Sequence, residues 1–125
     1  MPQTYTFPKS HRIRSRSDFS AVFEDRVKAA RGPLVAYARP NNLPHPRLGI
    51  SISRNVGTAP RRNRIKRLLR EAFRLHQHDW PKGYDIVLVV RPHAPLILAE
   101  YQKLLAALML KLHNDWQRRA EVKPK

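Results

Sequence analysis

The sequence predicts an α+β fold, a single-domain α/β sandwich of helices packed on one mixed sheet. Three observations support this prediction. A length of 125 residues suits one domain. Apolar residues recur at helical spacing in three segments, and apolar runs or alternations mark about four strands. The predicted order is a helix, two or three strands, a central helix, another strand and a last helix.

The central helix, over residues 61–75 (RRNRIKRLLREAFRL), is the most distinctive element. At 100° per residue it separates an apolar side from a cationic side. The apolar side consists of Ile65, Leu68, Leu69, Ala72, Phe73 and Leu75. The opposite side consists of Asn63, Lys66, Arg67, Arg70 and Arg74. Thr58 is expected to cap this helix, with Pro60 in its first turn.

The charge of this helix favours a polyanionic partner. Glu71 is its only acid against seven Lys and Arg residues. Like charges four residues apart, such as Lys66 and Arg70, destabilise an isolated helix by a few tenths of a kcal/mol. An ordinary solvated helix would carry mixed charge instead. A partner rich in phosphate explains why this face carries like charges that destabilise the isolated helix.

The composition also indicates nucleic acid. The formal net charge is +16, and Arg supplies 17 of the 25 cations. Arginine binds phosphate bidentately and stacks on bases, whereas lysine acts as a point charge. The chain has no cysteine, no apolar run long enough for a membrane span and no secretory h-region. We expect a cytoplasmic protein without a membrane partner, and no obligate protein partner is evident.

The predicted first helix covers residues 18–26 and is capped by Ser17. Phe19, Val22 and Phe23 share one of its faces. The two phenylalanines either anchor the helix on the sheet or line a groove and stack on bases, and spacing leaves both interpretations open.

The strand predictions rest on alternation and breakers. Residues 28–39 form one or two strands broken near Gly32-Pro33, and alternation groups Val35, Tyr37 and Arg39. Residues 48–53 place Leu48, Ile50 and Ile52 on a core face. Their opposite face has little bulk, so a ligand backbone could approach it, or it is simply solvated; its members are Gly49, Ser51 and Ser53.

The remaining segments complete the prediction. Residues 84–90 are apolar enough for a central strand, and the central helix before them makes a βαβ unit that the general rule would make right-handed. Residues 96–116 form the last helix, and 117–125 a frayed, charged tail. Residues 54–60 form a basic loop with Gly57 as its flexible point. Residues 1–16 form a poorly ordered basic arm that carries Arg12, Arg14 and Arg16.

No protein active site is predicted. The chain has nine acids, scattered over different elements, and no motif brings three together. His76 and His78 lie two residues apart, which points them in different directions on a helix. We therefore predict no catalytic residue and no metal-ligand cluster.

Several motifs resemble the protein subunit of bacterial ribonuclease P. Residues 62–71 (RNRIKRLLRE) look like its signature helix, and residues 47–54 (RLGISISR) resemble the strand before it. Residues 18–23 match its first helix, and Tyr84-Asp85-Ile86-Val87 with Arg91-Pro92 matches its last strand. The chain departs from the family pattern at Asn55, where a second cation is usual, and at Thr58-Ala59-Pro60, where Asn-Ala-Val is usual.

The resemblance implies an accessory to a catalytic RNA that removes the 5′ leader from precursor tRNA, an endoribonuclease reaction in which the RNA uses Mg²⁺. A protein-bound metal is left open. The implied partners are the catalytic RNA subunit and precursor tRNA. The implied RNA-contacting residues are Arg54, Arg61, Arg62, Asn63, Lys66, Arg67, Arg70 and Arg74. The implied leader cleft is lined by Phe19, Phe23, Tyr37, Arg39, Ser51 and Ser53. The resemblance also implies three helices, a four-stranded mixed sheet and a left-handed βαβ crossover.

Two rival predictions share the basic character. A ribosomal protein would have the same charge and size, but no reason to pair two phenylalanines with a small-residue sheet face. A DNA-binding helix-turn-helix needs two short helices joined by a tight turn, whereas strand-like sequence flanks residues 61–75.

Overall fold

The computed structural model describes residues 11–13, 15–24, 27–76 and 83–122, with side chains through 119. Its helices are α1 (Arg16–Glu24), α2 (Ala59–Leu75) and α3 (Leu98–Val122). Its strands are β1 (Lys28–Arg31), β2 (Leu34–Pro40), β3 (Arg47–Ile52) and β4 (Tyr84–Val90), and a 3₁₀ turn covers Arg54–Val56. The predicted α+β fold of three helices and one mixed sheet is confirmed. Most of the turn predicted at 79–83 lies outside the described residues.

The four strands form one sheet in the order β1-β2-β4-β3. β1 and β2 make an antiparallel hairpin, closed by Gly32 at φ +56°, and β2 pairs antiparallel with β4. β3 and β4 pair in parallel, so the chain from β3 through α2 to β4 is the predicted βαβ unit. β4 is a central strand, as its continuous apolar sequence predicted. The handedness of the crossover stays a prediction.

One face of the sheet forms the main core. Leu48, Ile86 and Leu88 on this face are at most 3% exposed and pack against α2 and α3. The α2 side chains in this core are Ile65, Leu69, Ala72 and Phe73. The principal α3 side chains are Tyr101, Leu105, Leu108, Met109 and Leu112. This packing fixes which side of α2 faces outward. Of the predicted apolar side, Leu68 and Leu75 remain partly exposed at its margin.

Local hydrogen bonds set the helix starts. The Thr58 hydroxyl accepts from Arg61 N–H, which confirms the predicted cap of α2. The cap predicted for α1 was wrong by two residues, because Ser15 Oγ accepts from Asp18 N–H at 3.1 Å, so α1 begins at Arg16.

α3 begins and ends later than predicted. Its start is shifted because Leu96 N–H donates to the Tyr101 hydroxyl and Ile97 N–H donates to Glu100 Oε1, outside the helix. The helix then continues to Val122, so residues 117–122, predicted as a frayed tail, are helical. No helix in the described part of the chain is long and apolar enough to cross a membrane.

Candidate nucleic-acid interface

The outward side of α2 presents the cations that the sequence singled out. All of the predicted RNA-contacting residues on this helix are at least partly exposed: Arg61, Arg62, Asn63, Lys66, Arg67, Arg70 and Arg74. Arg74 is paired within the helix, since its Nε donates to Glu71 Oε2 at 3.1 Å, and this bond lowers the pKa of Glu71. Neither Arg67 nor Arg70 has an acidic partner among the described residues. Their charge is available to a polyanion.

The segment before α2 is more ordered than a flexible loop. Arg54 lies exposed in the 3₁₀ turn, and Val56 in the same turn is buried. Gly57 has φ +151°, and a Cβ atom there would lie 2.5 Å from Arg61 Cδ. The positive φ at Gly57 therefore favours glycine at this position. Arg62 Nε is buried and has no hydrogen-bond partner in the described structure.

Part of the N-terminal arm is fixed to the sheet. Arg12 makes a parallel bridge with Leu48, and Ile13 N–H donates to Leu48 O at 2.9 Å. Ile13 is 5% exposed. The prediction of a poorly ordered arm was therefore wrong at residues 11–13, where β3 supplies a pairing edge and a hydrophobic contact. Arg16 begins α1 and is exposed, and Arg14 lies outside the described residues.

Arg12 also brings a second cation close to Arg70. Burial and then the Arg12 charge lower the pKa of the Arg70 guanidinium. The two side chains share a pocket of about 400 Å³ lined by Arg12, Arg67, Arg70, Glu71 and Arg74. Such an arrangement costs Coulomb energy unless an anion is bound between the cations.

The other face of the sheet lies under α1, and strand register arranges it in rows. The middle row contains Tyr37, Val87 and Gly49. The row toward the carboxyl end of β4 contains Val35, Val89 and Ser51, and the row on the other side contains Arg39, Asp85 and Arg47. Each row spans β2, β4 and β3 in that order. This face is therefore polar at one end, apolar in the middle and open at Ser51.

α1 covers the middle row. Val22 is fully buried and clusters with Ile13 and Val87. Phe19 and Phe23 are only partly buried beside it, and Phe23 packs edge-to-face on Tyr37 with ring centroids 4.7 Å apart. Val22 is thus the fully buried anchor of α1. Both phenylalanines pack on the sheet and also keep exposed surface, so the two interpretations of these rings are compatible.

Phe19 occupies the space that glycine leaves on β3. A Cβ atom at Gly49 would lie 2.7 Å from Phe19 Cζ and 3.2 Å from Ile13 Cβ. The predicted close approach at this glycine is therefore made by Phe19 and not left open for a ligand. Beside it runs a cleft of about 280 Å³, lined by Arg12, Ile13, Phe19, Leu48, Gly49, Ile50 and Arg70.

The predicted cleft residues are only partly brought together. Phe19, Phe23 and Tyr37 all pack against the buried cluster of Ile13, Val22 and Val87, but of the three only Phe19 lines the cleft. Ser51 and Ser53 are exposed at the far end of β3, whereas Arg39 lies two rows from Ser51, across the Tyr37 row. Arg39 and the serines therefore do not converge on one point.

A polar network that the sequence analysis missed lies at the polar end of this face and reaches α1. Asp85 is 7% exposed and accepts from Arg47 Nε at 2.8 Å, from Arg47 Nη2 at 2.5 Å and from Asn41 Nδ2 at 2.8 Å. Arg47 also reaches Asp18 on α1 at 3.5 Å. These bonds, chiefly the one with Asp85, raise the pKa of Arg47. The sequence feature that could have indicated this network is Asp85, an acidic residue at the start of an otherwise apolar strand.

The fold and this surface define a small basic α+β protein in which a cationic helix lies beside a cleft bordered by Phe19. A family model described as Ribonuclease P matches residues 7–113. The chain is 53% identical over 115 residues to the ribonuclease P protein component of Methylococcus capsulatus, covering 91% of this chain and 84% of the relative. The chain belongs to the family of ribonuclease P protein components.

Solved structures agree with this assignment. A Staphylococcus aureus RNase P protein mutant with defective mRNA degradation activity has a TM-score of 0.74 and 31% identity, covering 85% of this chain and 90% of that one. The RNase P protein from Thermotoga maritima has a TM-score of 0.70 and 34% identity, covering 79% and 96%. The chain is thus a protein component of the tRNA-processing enzyme ribonuclease P, which implies an RNA partner. The rival assignments to a ribosomal or helix-turn-helix protein are set aside.

Proposed function

We propose that this chain binds the catalytic RNA of ribonuclease P through α2 and holds the single-stranded 5′ leader of precursor tRNA in the cleft beside α1. The observation that carries the proposal is the adjacency of the two surfaces. Arg70 lines two sites. One is the pocket that it shares with Arg12, Arg67, Glu71 and Arg74, here called the arginine pocket, and the other is the cleft that Phe19 borders. One protein surface can therefore contact two RNAs at once.

The cleft suits an unpaired strand. Phe19 offers a partly exposed ring, and base–aromatic stacking is worth about 1–3 kcal/mol per base without strong sequence preference. A tRNA leader varies in sequence, so recognition through stacking and phosphate contacts fits this substrate. The α2 cations act on phosphate in the same sequence-independent way.

In this proposal the chemistry belongs to the RNA. Hydrolysis of a phosphodiester needs an activated water and stabilisation of the departing oxygen, which Mg²⁺ supplies when bound. Placing the Mg²⁺ on the RNA is supported by the absence, among the described residues, of any group of three His, Cys, Asp or Glu side chains that could hold a metal ion. The protein's contribution is to position the leader and to offset repulsion between two polyanions.

The cleft is tested by comparing two ligands. Phe19→Ala should weaken binding of leader-bearing precursor tRNA to the assembled enzyme by roughly tenfold, because one stacked base is lost, and should leave mature tRNA unaffected. Leu110→Ala, which removes an exposed apolar side chain from α3, is the matched control. Equal losses for both ligands would show that Phe19 is only a packing residue.

The location of the chemistry is tested by reconstitution. Protein freed of RNA should cleave no precursor tRNA, and cleavage should appear on adding the catalytic RNA and Mg²⁺. The benefit of the protein should be largest at low salt and shrink as salt rises. Cleavage by RNA-free protein that a point substitution in this chain abolishes would overturn the proposal.

A further inference from the structure

The cleft bordered by Phe19 and the arginine pocket are two parts of one surface. Arg12 and Arg70 line both of them. The position of Arg12 is set by its bridge to Leu48 on β3, and that of Arg70 by the packed helix α2. The two side chains therefore lie near each other where the sheet edge, the arm and α2 come together, and burial and then the Arg12 charge lower the pKa of Arg70.

We propose that Arg12 and Arg70 together bind one backbone phosphate of the single-stranded leader, at the point where the strand passes from the Phe19 cleft toward α2. This inference rests on the proposed function and reassigns Arg70 from the catalytic RNA to the leader. It also gives Arg12, an arm residue, a specific role in substrate binding.

The chemistry of the Arg12 and Arg70 pair favours phosphate as its ligand. Two guanidinium groups that are held close repel each other, and an anion between them replaces that repulsion with charge-assisted hydrogen bonds. Each guanidinium presents a planar fork that matches phosphate oxygens. Glu71 also lines the pocket, where it accepts a hydrogen bond from Arg74.

The position of Arg12 and Arg70 favours a phosphate of the leader over one of the catalytic RNA. Arg12 borders the cleft together with Ile13 and Phe19, so a phosphate bound there is continuous with a base stacked on the ring. A cleft of about 280 Å³ has room for part of one strand. A structured RNA lying along α2 would instead meet Arg67, which lines the arginine pocket and not the cleft.

The test uses single and double variants in the assembled enzyme. Arg12→Ala and Arg70→Ala should each weaken binding of leader-bearing precursor tRNA by about tenfold, the low end for charge-assisted bonds. The double variant should lose much less than the product of the two. Arg31→Ala on the opposite edge strand β1 is the matched control and should have no effect.

Two further readouts identify the ligand. The salt dependence of precursor binding should weaken by about 0.7 in log–log slope for the double variant, the value for one single-strand phosphate, and not by about 1.4. A precursor in which the leader linkage beside the stacked base is an uncharged methylphosphonate should bind the wild-type and double-variant enzymes equally.

The alternatives give distinct results. Arg12→Ala losses that persist with mature tRNA, or that appear in binding of the catalytic RNA to the protein, would place the phosphate in the catalytic RNA and overturn the inference. Additive losses with a slope change near 1.4 would mean two separate phosphates and overturn it as well. If Phe19→Ala shows its leader-specific loss while Arg12→Ala shows none, the proposed function stands and this inference fails.

Discussion

Replacing Arg47 with alanine should destabilise the protein more than removing any arginine from the outward side of α2. Arg47 is the counter-ion of Asp85, the one charged side chain that is buried in the described structure. The pair is bidentate, with Arg47 Nε and Nη2 at 2.8 Å and 2.5 Å from the two carboxylate oxygens. Without Arg47, the buried carboxylate keeps, among the described residues, only the bond from Asn41 Nδ2 at 2.8 Å.

The expected cost follows from this geometry. Breaking a buried ion pair by removing one partner costs about 3–5 kcal/mol, because the remaining charge is uncompensated. The Arg47 side chain is 21% exposed and Asn41 still donates, so the low end, about 3 kcal/mol, is expected. That is a large share of the roughly 5–15 kcal/mol that stabilises a domain.

Urea unfolding measures the loss as a lower midpoint at unchanged slope. Asp18→Ala is the control: it removes the outer contact of Arg47, 3.5 Å long with a 43% exposed carboxylate, and should cost less than about 1 kcal/mol. Arg47→Met combined with Asp85→Leu removes both charges and should restore most of the loss. If Arg47→Ala costs no more than Asp18→Ala, the buried pair of Arg47 and Asp85 does not stabilise the fold as argued.

Three other substitutions test the two sides of α2 and the histidine contact. Leu69→Ala should cost about 2–5 kcal/mol of stability, whereas Arg67→Ala should leave the fold intact and weaken RNA binding by about 1–3 kcal/mol. Urea unfolding and RNA titration of both variants measure these effects. The opposite pattern would mean that the two faces of α2 are reversed. His11 stacks on His45 at 3.9 Å, and burial and then His45 lower the pKa of His11 from 6.5. The unfolded chain therefore binds the proton more tightly, so stability should fall as pH drops below about 6.5, and His11→Phe should flatten that dependence. An unchanged pH profile in this variant would refute the assignment.

The elements that sequence analysis predicted best are those decided by local chemistry. The Thr58 cap, Pro60 and the apolar side of α2 all follow from residues within one or two helical turns. The start of α1 was missed because Ser15 and Ser17 are both suitable caps, and only the bond to Asp18 N–H distinguishes them.

The site was less predictable because it depends on contacts that are distant in sequence. Arg47 and Asp85 are 38 residues apart, and their pairing follows from the parallel register of β3 and β4. The same register separates Arg39 from Ser51. The alternation of side chains along each strand indicated which face of the sheet a residue occupies. It did not indicate the row, because the row depends on the register between strands.

The distribution of charge gives a last prediction about salt. The acids whose partners are described pair mostly away from the outward side of α2: Asp18 and Asp85 bond to Arg47, and Asp115 bonds to Lys111. Repulsion among the α2 cations therefore remains in the free protein and is offset by burial of the opposite side of the helix, which is worth about 1.5–3 kcal/mol per large apolar side chain.

Added salt screens that repulsion and also reduces the gain from counterion release when RNA binds. Between about 0.05 and 0.3 M salt, the stability of the free protein should rise while its affinity for RNA falls. Urea midpoints and RNA titrations over one salt series measure both trends, and Lys66→Gln, which removes one α2 cation, should flatten both. A urea midpoint that falls with salt would show that attractive ion pairs dominate the surface, and that the α2 cations are not held in mutual repulsion.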